Sequence, residues 1–155
     1  MTTNDMLIRL RYALDIKNAE MVEIFKLGGI ELTTKEVLAM LKKEEEEQLE
    51  CSLPTFNAFL NGFIIFKRGP REGKADSGSV VEVEESANNL LLKKVKIALS
   101  LTSEDMLDIM EEARVSITKG ELGAVLRKVG HRNYKECGDR YARNFLKGLT
   151  YKYKE

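Results

Sequence analysis

Two cysteines and a single histidine are the residues of this sequence best suited to nucleophilic or metal chemistry. Cys51 and Cys137 each follow a polar loop and precede a predicted helix, whose N-terminus could activate a thiol. His131 lies six residues before Cys137, but neither CxxC nor HxxxH spacing is present to assemble a zinc site. Because free cysteine is most often a small buried side chain, we interpret both as core residues and predict no catalytic, cofactor or metal site.

A basic stretch near the C-terminus is the second group of chemically active residues. It comprises Arg127, Lys128, His131, Arg132, Lys135, Arg140, Arg143 and Lys147. Residues 126–155 hold nine basic and three acidic side chains, a net charge of +6 in a chain whose formal net charge is zero. Clustered Lys and Arg neutralise phosphates, so this stretch is the candidate polyanion-binding site, although the same charges could pair with acids of the first half.

Other features argue against specific chemistries. The run Glu44 to Glu47 could bind a cation, but such a run is more often a solvated loop or helix end. The pair Gly28 and Gly29 predicts a helix end, and no GxSxG or HExxH motif is present. Aromatic residues make up only 7% of the chain and Trp is absent, which disfavours a platform for stacking bases or sugars.

The elements that position these residues are duplicated. A shift of 85 positions aligns Asn4 with Asn89, Met21 with Met106 and Thr33 with Thr118; after one inserted residue, Cys51 aligns with Cys137 and Gly62 with Gly148. Matches that recur through both halves indicate a tandem repeat, with copies at residues 1–68 and 88–155. Residues 69–87, rich in Gly, Ser and acidic side chains, are predicted to be a flexible linker.

Each repeat is predicted to form four helices, because apolar residues recur at spacings of three and four. The motif T-x-x-E, beginning at Thr33 and again at Thr118, predicts a capping box at the third helix of each copy. Asn18 and Ser103 are the predicted N-caps of the second helices. A unit of about 65 residues is marginally stable alone, so we predict an all-α fold in which the two copies pack together about a pseudo-twofold axis.

With the copies aligned, the sequence resembles the bacterial YehS-like family, a duplicated domain of unknown function (DUF 1456). The resemblance is carried in the first copy by residues 4–14 (NDMLIRLRYAL) and 19–25 (AEMVEIF), and in the second by 126–137 (LRKVGHRNYKEC) and 143–149 (RNFLKGL). It covers nearly the whole chain apart from the linker. It implies a small bacterial cytoplasmic protein and brings no activity, cofactor or catalytic residue to carry over.

Duplication without a catalytic set favours a binding function. We expect a non-enzymatic helical interaction or regulatory module that binds a protein partner through the groove between the repeats. The alternative is nucleic-acid binding by the basic stretch and a helix-turn-helix-like element. The outer face of its second helix would carry Thr34, Lys35, Leu38 and Lys42. The longest clean apolar run, residues 63–66, is far below the roughly 20 residues needed to span a bilayer, so we expect a cytoplasmic protein without a membrane partner.

Overall fold

The computed structural model describes residues 1–42, 47–69 and 85–154, which form eight helices and no strand. The first repeat contains α1 (Thr3–Leu14), α2 (Asn18–Leu27), α3 (Thr34–Met40) and α4 (Leu53–Arg68). The second contains α5 (Ala87–Ala98), α6 (Ser103–Glu112), α7 (Lys119–Leu126) and α8 (Asp139–Lys154). The predicted all-α fold, with two repeats of four helices, is confirmed.

Two sequence predictions fall wholly or partly outside the described residues. Of the acidic run, Glu44 to Glu46 lie outside them, and Glu47 is exposed. Residues 70–84, most of the predicted linker, also lie outside them, so the linker's flexibility stays a prediction.

The fourth helix of each repeat packs on the second helix of its own repeat and on the first helix of the other repeat. α4 packs on its own α2 and on α5, the first helix of the other repeat. α8 packs on its own α6 and on α1 in the same manner. By contrast, contact between the first and fourth helices of one repeat is slight. This exchange relates the repeats by the predicted pseudo-twofold axis and gives the molecule two inter-repeat seams, α4–α5 and α1–α8.

One hydrophobic core runs through both repeats. Its largest side chains include Phe25, Phe56, Phe59, Phe63 and Phe145, all fully buried. Burying one such side chain contributes about 1.5–3 kcal/mol, so the shared core supplies what a single repeat lacks.

Two aligned glycines let the fourth helices approach their partners closely. A Cβ at Gly62 would lie 1.9 Å from the carbonyl oxygen of Ile24 in α2. A Cβ at Gly148 would lie 2.1 Å from the carbonyl oxygen of Ile109 in α6. Both distances are far inside van der Waals contact, so the backbones can pack this closely only where the side chain is absent.

The capping boxes of the third helices form as predicted. The hydroxyl of Thr33 accepts a hydrogen bond from the backbone N–H of Glu36 at 3.1 Å, and the carboxylate of Glu36 accepts one from the backbone N–H of Thr33 at 3.0 Å. Thr118 and Glu121 repeat both bonds at 3.0 and 3.2 Å. The two copies therefore begin α3 and α7 with the same local device.

The predicted N-caps of the second helices are wrong by one residue. Asn18 and Ser103 are the first helical residues, and the N-caps are Lys17 and Thr102. The hydroxyl of Thr102 accepts a hydrogen bond from the N–H of Asp105 at 3.0 Å. A capping box needs its acid three residues after the cap, and this spacing selects Thr102 rather than Ser103.

Candidate functional site

A buried asparagine holds the loop that carries five of the eight residues of the basic stretch. The side-chain amide of Asn89 in α5 donates to the carbonyl oxygens of Val125 and Lys135 at 3.0 and 3.1 Å. Its side-chain oxygen accepts a hydrogen bond from the backbone N–H of Cys137 at 2.8 Å. These bonds tie both ends of the α7–α8 loop to α5. The loop is thereby positioned by the core and not only by its own exposed residues.

The two cysteines are core residues, as predicted. Both are buried, and burial raises the pKa of each thiol, Cys51 and Cys137, to about 12. The thiols are therefore protonated at neutral pH and poorly suited to nucleophilic attack. His131 is exposed in the α7–α8 loop, where its Nδ1 accepts a hydrogen bond from the backbone N–H of Asn133 at 3.0 Å.

The eight residues of the basic stretch all lie at the surface. Arg127, Lys128, His131, Arg132 and Lys135 lie at the end of α7 and on the α7–α8 loop, and Arg140, Arg143 and Lys147 lie on α8; all are exposed. Among the described residues, no salt bridge joins this stretch to an acid of the first repeat. The charges of the basic stretch thus face solvent.

A cavity of about 450 Å³ receives part of the stretch at the start of α8. Lys135 and Arg140 line it together with Arg114, but Glu121 and Glu136 line it as well. Carboxylates interspersed with the cations weaken its attraction for an anion. This cavity is therefore a weaker candidate for anion binding than the cavity between α1 and α8.

A larger cavity of about 680 Å³ lies between α1 and α8, in one of the two inter-repeat seams. We call it the α1–α8 groove; Ile8, Arg9 and Tyr12 of α1 and Arg143, Lys147 and Tyr151 of α8 define it. Three positively charged side chains line it, and no carboxylate within the described part of the chain does so. Its field therefore favours an anionic ligand.

The other seam, α4–α5, is closed by a contact that the groove lacks. The ammonium group of Lys94 in α5 donates a hydrogen bond to the side-chain oxygen of Asn61 in α4. The aligned residues in the α1–α8 seam are Arg9 and Lys147. Two cations cannot form this bond and repel each other. The duplicated seams therefore differ: Lys94 and Asn61 bridge one with a single positive charge, whereas Arg9 and Lys147 place two positive charges in the other.

Arg9 and Tyr12 are among the groove residues that the sequence interpretation missed. They lie at the opposite end of the chain from the basic stretch, and the reciprocal packing of α8 on α1 brings them beside it. A signal was present in the alignment, since Lys147 stands where the first repeat has Asn61.

The helix-turn-helix-like element offers a less suitable surface. Its second helix, α3, spans only Thr34–Met40, and residues 28–33 separate it from α2. The outer-face residues are exposed as predicted: Thr34, Lys35, Leu38 and Lys42. A connection of this length exceeds the three- or four-residue turn of a DNA-binding helix pair.

A third cavity, of about 760 Å³, lies on the far side of Tyr151 and has a small excess of negative charge. Asp108, Glu111 and Glu112 of α6 line it, together with Arg114 and Lys152. No three His, Cys, Asp or Glu side chains in the described ranges are arranged to hold a metal ion.

The model of one protein family matches the chain twice, at residues 3–69 and 88–154, and its description is a protein of unknown function, DUF1456. The chain belongs to the DUF1456 family. This DUF1456 protein is 39% identical over 152 residues to the uncharacterized protein YehS of Escherichia coli K12. The aligned region covers 97% of the chain and 95% of that relative. No solved structure matches the chain. The family resemblance inferred from the residues is thus confirmed.

Across the described residues of this DUF1456 protein, each helix is either too short or too polar to be a bilayer-spanning segment.

Proposed function

We propose that this DUF1456 protein is a non-enzymatic interaction module of the cytoplasm that binds an anionic partner in the α1–α8 groove. One observation supports it most: Arg9, Arg143 and Lys147 converge on a cavity that no described carboxylate lines. Cations held together on the walls of a concave, partly apolar surface raise the local concentration of an anionic ligand. At the positions where the groove has two cations, Arg9 and Lys147, the α4–α5 seam has one, Lys94.

The chemistry of the remaining candidate groups supports binding over catalysis. The thiols of Cys51 and Cys137 are buried with raised pKa values, and His131 stands apart on an exposed loop. A nucleophile needs a base within hydrogen-bond reach or a lowered pKa, and neither condition holds for these thiols.

The groove suits an extended anionic chain in particular. Ile8, which is partly exposed, lines it beside the cations and offers apolar contact to the uncharged parts of a ligand. An acidic segment of a partner protein and a nucleic acid both combine negative charge with apolar surface. The shared requirement is a chain that presents several negative charges in succession.

Retention on immobilised heparin, a polyanion, tests the proposal. The wild-type protein should bind at low salt although its formal net charge is zero, because the groove charges are local. A variant carrying Arg9→Glu, Arg143→Glu and Lys147→Glu should flow through. A control carrying Lys26→Glu, Lys35→Glu and Lys42→Glu changes the net charge equally on the α2–α3 side and should be retained.

Loss of retention in the control but not in the groove variant would move the binding surface to the helix-turn-helix-like element and overturn the proposal. Failure of the wild-type protein to bind at low salt would also overturn it. All three mutated groove cations are exposed, so circular dichroism should confirm that both variants fold.

A further inference from the structure

Two tyrosines stand exposed at the rim of the α1–α8 groove. Tyr12 of α1 is 59% exposed and Tyr151 of α8 is 38% exposed, and both line the groove. In contrast, five of the six phenylalanines are buried in the core. Although the low aromatic content disfavoured base stacking, two of the five tyrosines therefore stand together at one exposed groove, while most phenylalanines are in the core.

Each of these tyrosines has an ammonium group beside its ring. The Nζ atom of Lys154 lies 4.1 Å from the ring centroid of Tyr12, and that of Lys147 lies 5.9 Å from the ring centroid of Tyr151. The ring of Tyr12 is still exposed with the Lys154 side chain in this position. A flat ring next to a positive charge complements a nucleotide, which joins a flat base to a phosphate.

The cations continue along α8 beyond the groove. Arg140, Arg143, Lys147 and Lys154 follow one another at spacings of three, four and seven residues, which places them on one side of the helix. The helix rises about 21 Å over this length. A ligand with a charge on every unit can meet these cations in succession, whereas a compact anion can meet only one or two.

The cavity beside α6 influences the path of such a ligand. Asp108, Glu111 and Glu112 lie on the far side of Tyr151, where they outnumber Arg114 and Lys152 and weaken the attraction for phosphates. A nucleic acid is therefore favoured on the side of Tyr151 that faces α1. Since a duplex keeps its base faces stacked inside, only a single strand can place bases on the two tyrosine rings.

We propose that the α1–α8 groove binds single-stranded nucleic acid, with bases stacked on Tyr12 and Tyr151 and phosphates beside Arg143 and Lys147. This inference rests on the proposed function, because it names the anionic chain that the groove takes.

Fluorescence anisotropy with a labelled oligothymidylate of about twelve nucleotides tests the inference. Tyr12→Ala and Tyr151→Ala should each weaken binding by about 5- to 100-fold, while Tyr12→Phe and Tyr151→Phe, which keep the ring, should bind within about twofold of wild type. Tyr153→Ala is the matched control: Tyr153 is 40% exposed on α8 but does not line the groove, so affinity should be unchanged. A duplex of the same length should bind more weakly than the single strand.

Two results would overturn the inference and leave the proposed function standing. In the first, the alanine variants bind oligothymidylate as tightly as the wild-type protein. In the second, polyglutamate binds and oligothymidylate does not, which would assign the groove to an acidic protein segment. If neither oligothymidylate nor heparin binds at low salt, the inference and the proposed function both fail.

Discussion

Asn4 and Asn89 make the same three hydrogen bonds at equivalent positions of the two repeats. The side-chain amide of Asn4 donates to the carbonyl oxygens of Met40 and Leu49, both at 2.9 Å. Its side-chain oxygen accepts a hydrogen bond from the N–H of Cys51 at 2.9 Å. Both asparagines are buried, so each tethers a loop to the first helix of its repeat without competition from water.

Removing either asparagine should therefore destabilise the fold. Asn4→Ala and Asn89→Ala each leave three backbone groups without their partner, and we expect a loss of about 3 kcal/mol in the free energy of unfolding measured with urea. Asn133→Ala, on an exposed loop, should change it by less than about 0.5 kcal/mol. Equal effects of the buried and exposed substitutions would contradict this role of the two asparagines.

Replacing glycine by alanine should destabilise the protein at two positions and stabilise it at a third. Gly62→Ala and Gly148→Ala place a Cβ against a carbonyl oxygen of the neighbouring helix and should cost about 3 kcal/mol or more. Gly123→Ala in α7 meets nothing within 4 Å and should stabilise the protein by about 0.5–1 kcal/mol through the helix backbone. Thermal unfolding of the three variants is the check, and a tolerated Gly148→Ala would contradict the close packing of α8 on α6.

The buried thiols should make stability depend on pH in the alkaline range. The pKa of Cys51 and of Cys137 is raised from the ordinary 9.0 to about 12 in the folded state. Unfolding then releases protons above pH 9, so the contribution of each thiol is complete below that pH and is lost as the pH rises toward 12. The urea midpoint should fall more steeply across this range in the wild-type protein than in a Cys51→Ala, Cys137→Ala variant. Parallel slopes would show that other groups cause the loss.

Single substitutions can give each seam the residue that the other seam has at the aligned position. Lys147→Asn gives α8 the amide that Asn61 gives α4, so Arg9 gains an acceptor, and elution from heparin should move to lower salt without loss of thermal stability. Asn61→Lys does the reverse: it sets a second cation opposite Lys94, and should lower the melting temperature while strengthening retention. Unchanged elution in both variants would mean that these seam positions do not control anion binding.

Local patterns predicted the helices, because spacing, caps and breakers act within a few residues. The T-x-x-E motifs at Thr33 and Thr118 are such signals, and even the error at Ser103 displaced a cap by one residue without losing a helix. The asparagine tether was not predicted, although Asn4 and Asn89 were aligned, because a buried polar residue is recognised only when its distant backbone partners are known.

The groove was predicted only in part, for a related reason. Arg143 and Lys147 belong to a charged stretch visible in the sequence, whereas Arg9 reaches them through the packing of α1 on α8. Which seam of a duplicated fold stays open depends on pairs of residues in different repeats, and composition does not report such pairs.

Binding of an anionic chain in the open seam between α1 and α8 is tested most directly by the amide chemical shifts of the ¹⁵N-labelled protein, followed during titration with a short heparin oligosaccharide at low salt. Binding in the seam should perturb the shifts of Arg9, Tyr12, Arg143 and Lys147 most and leave Lys35 on α3 unaffected. Perturbations confined to α3, or spread evenly over the basic stretch without the α1 residues, would contradict binding in this seam.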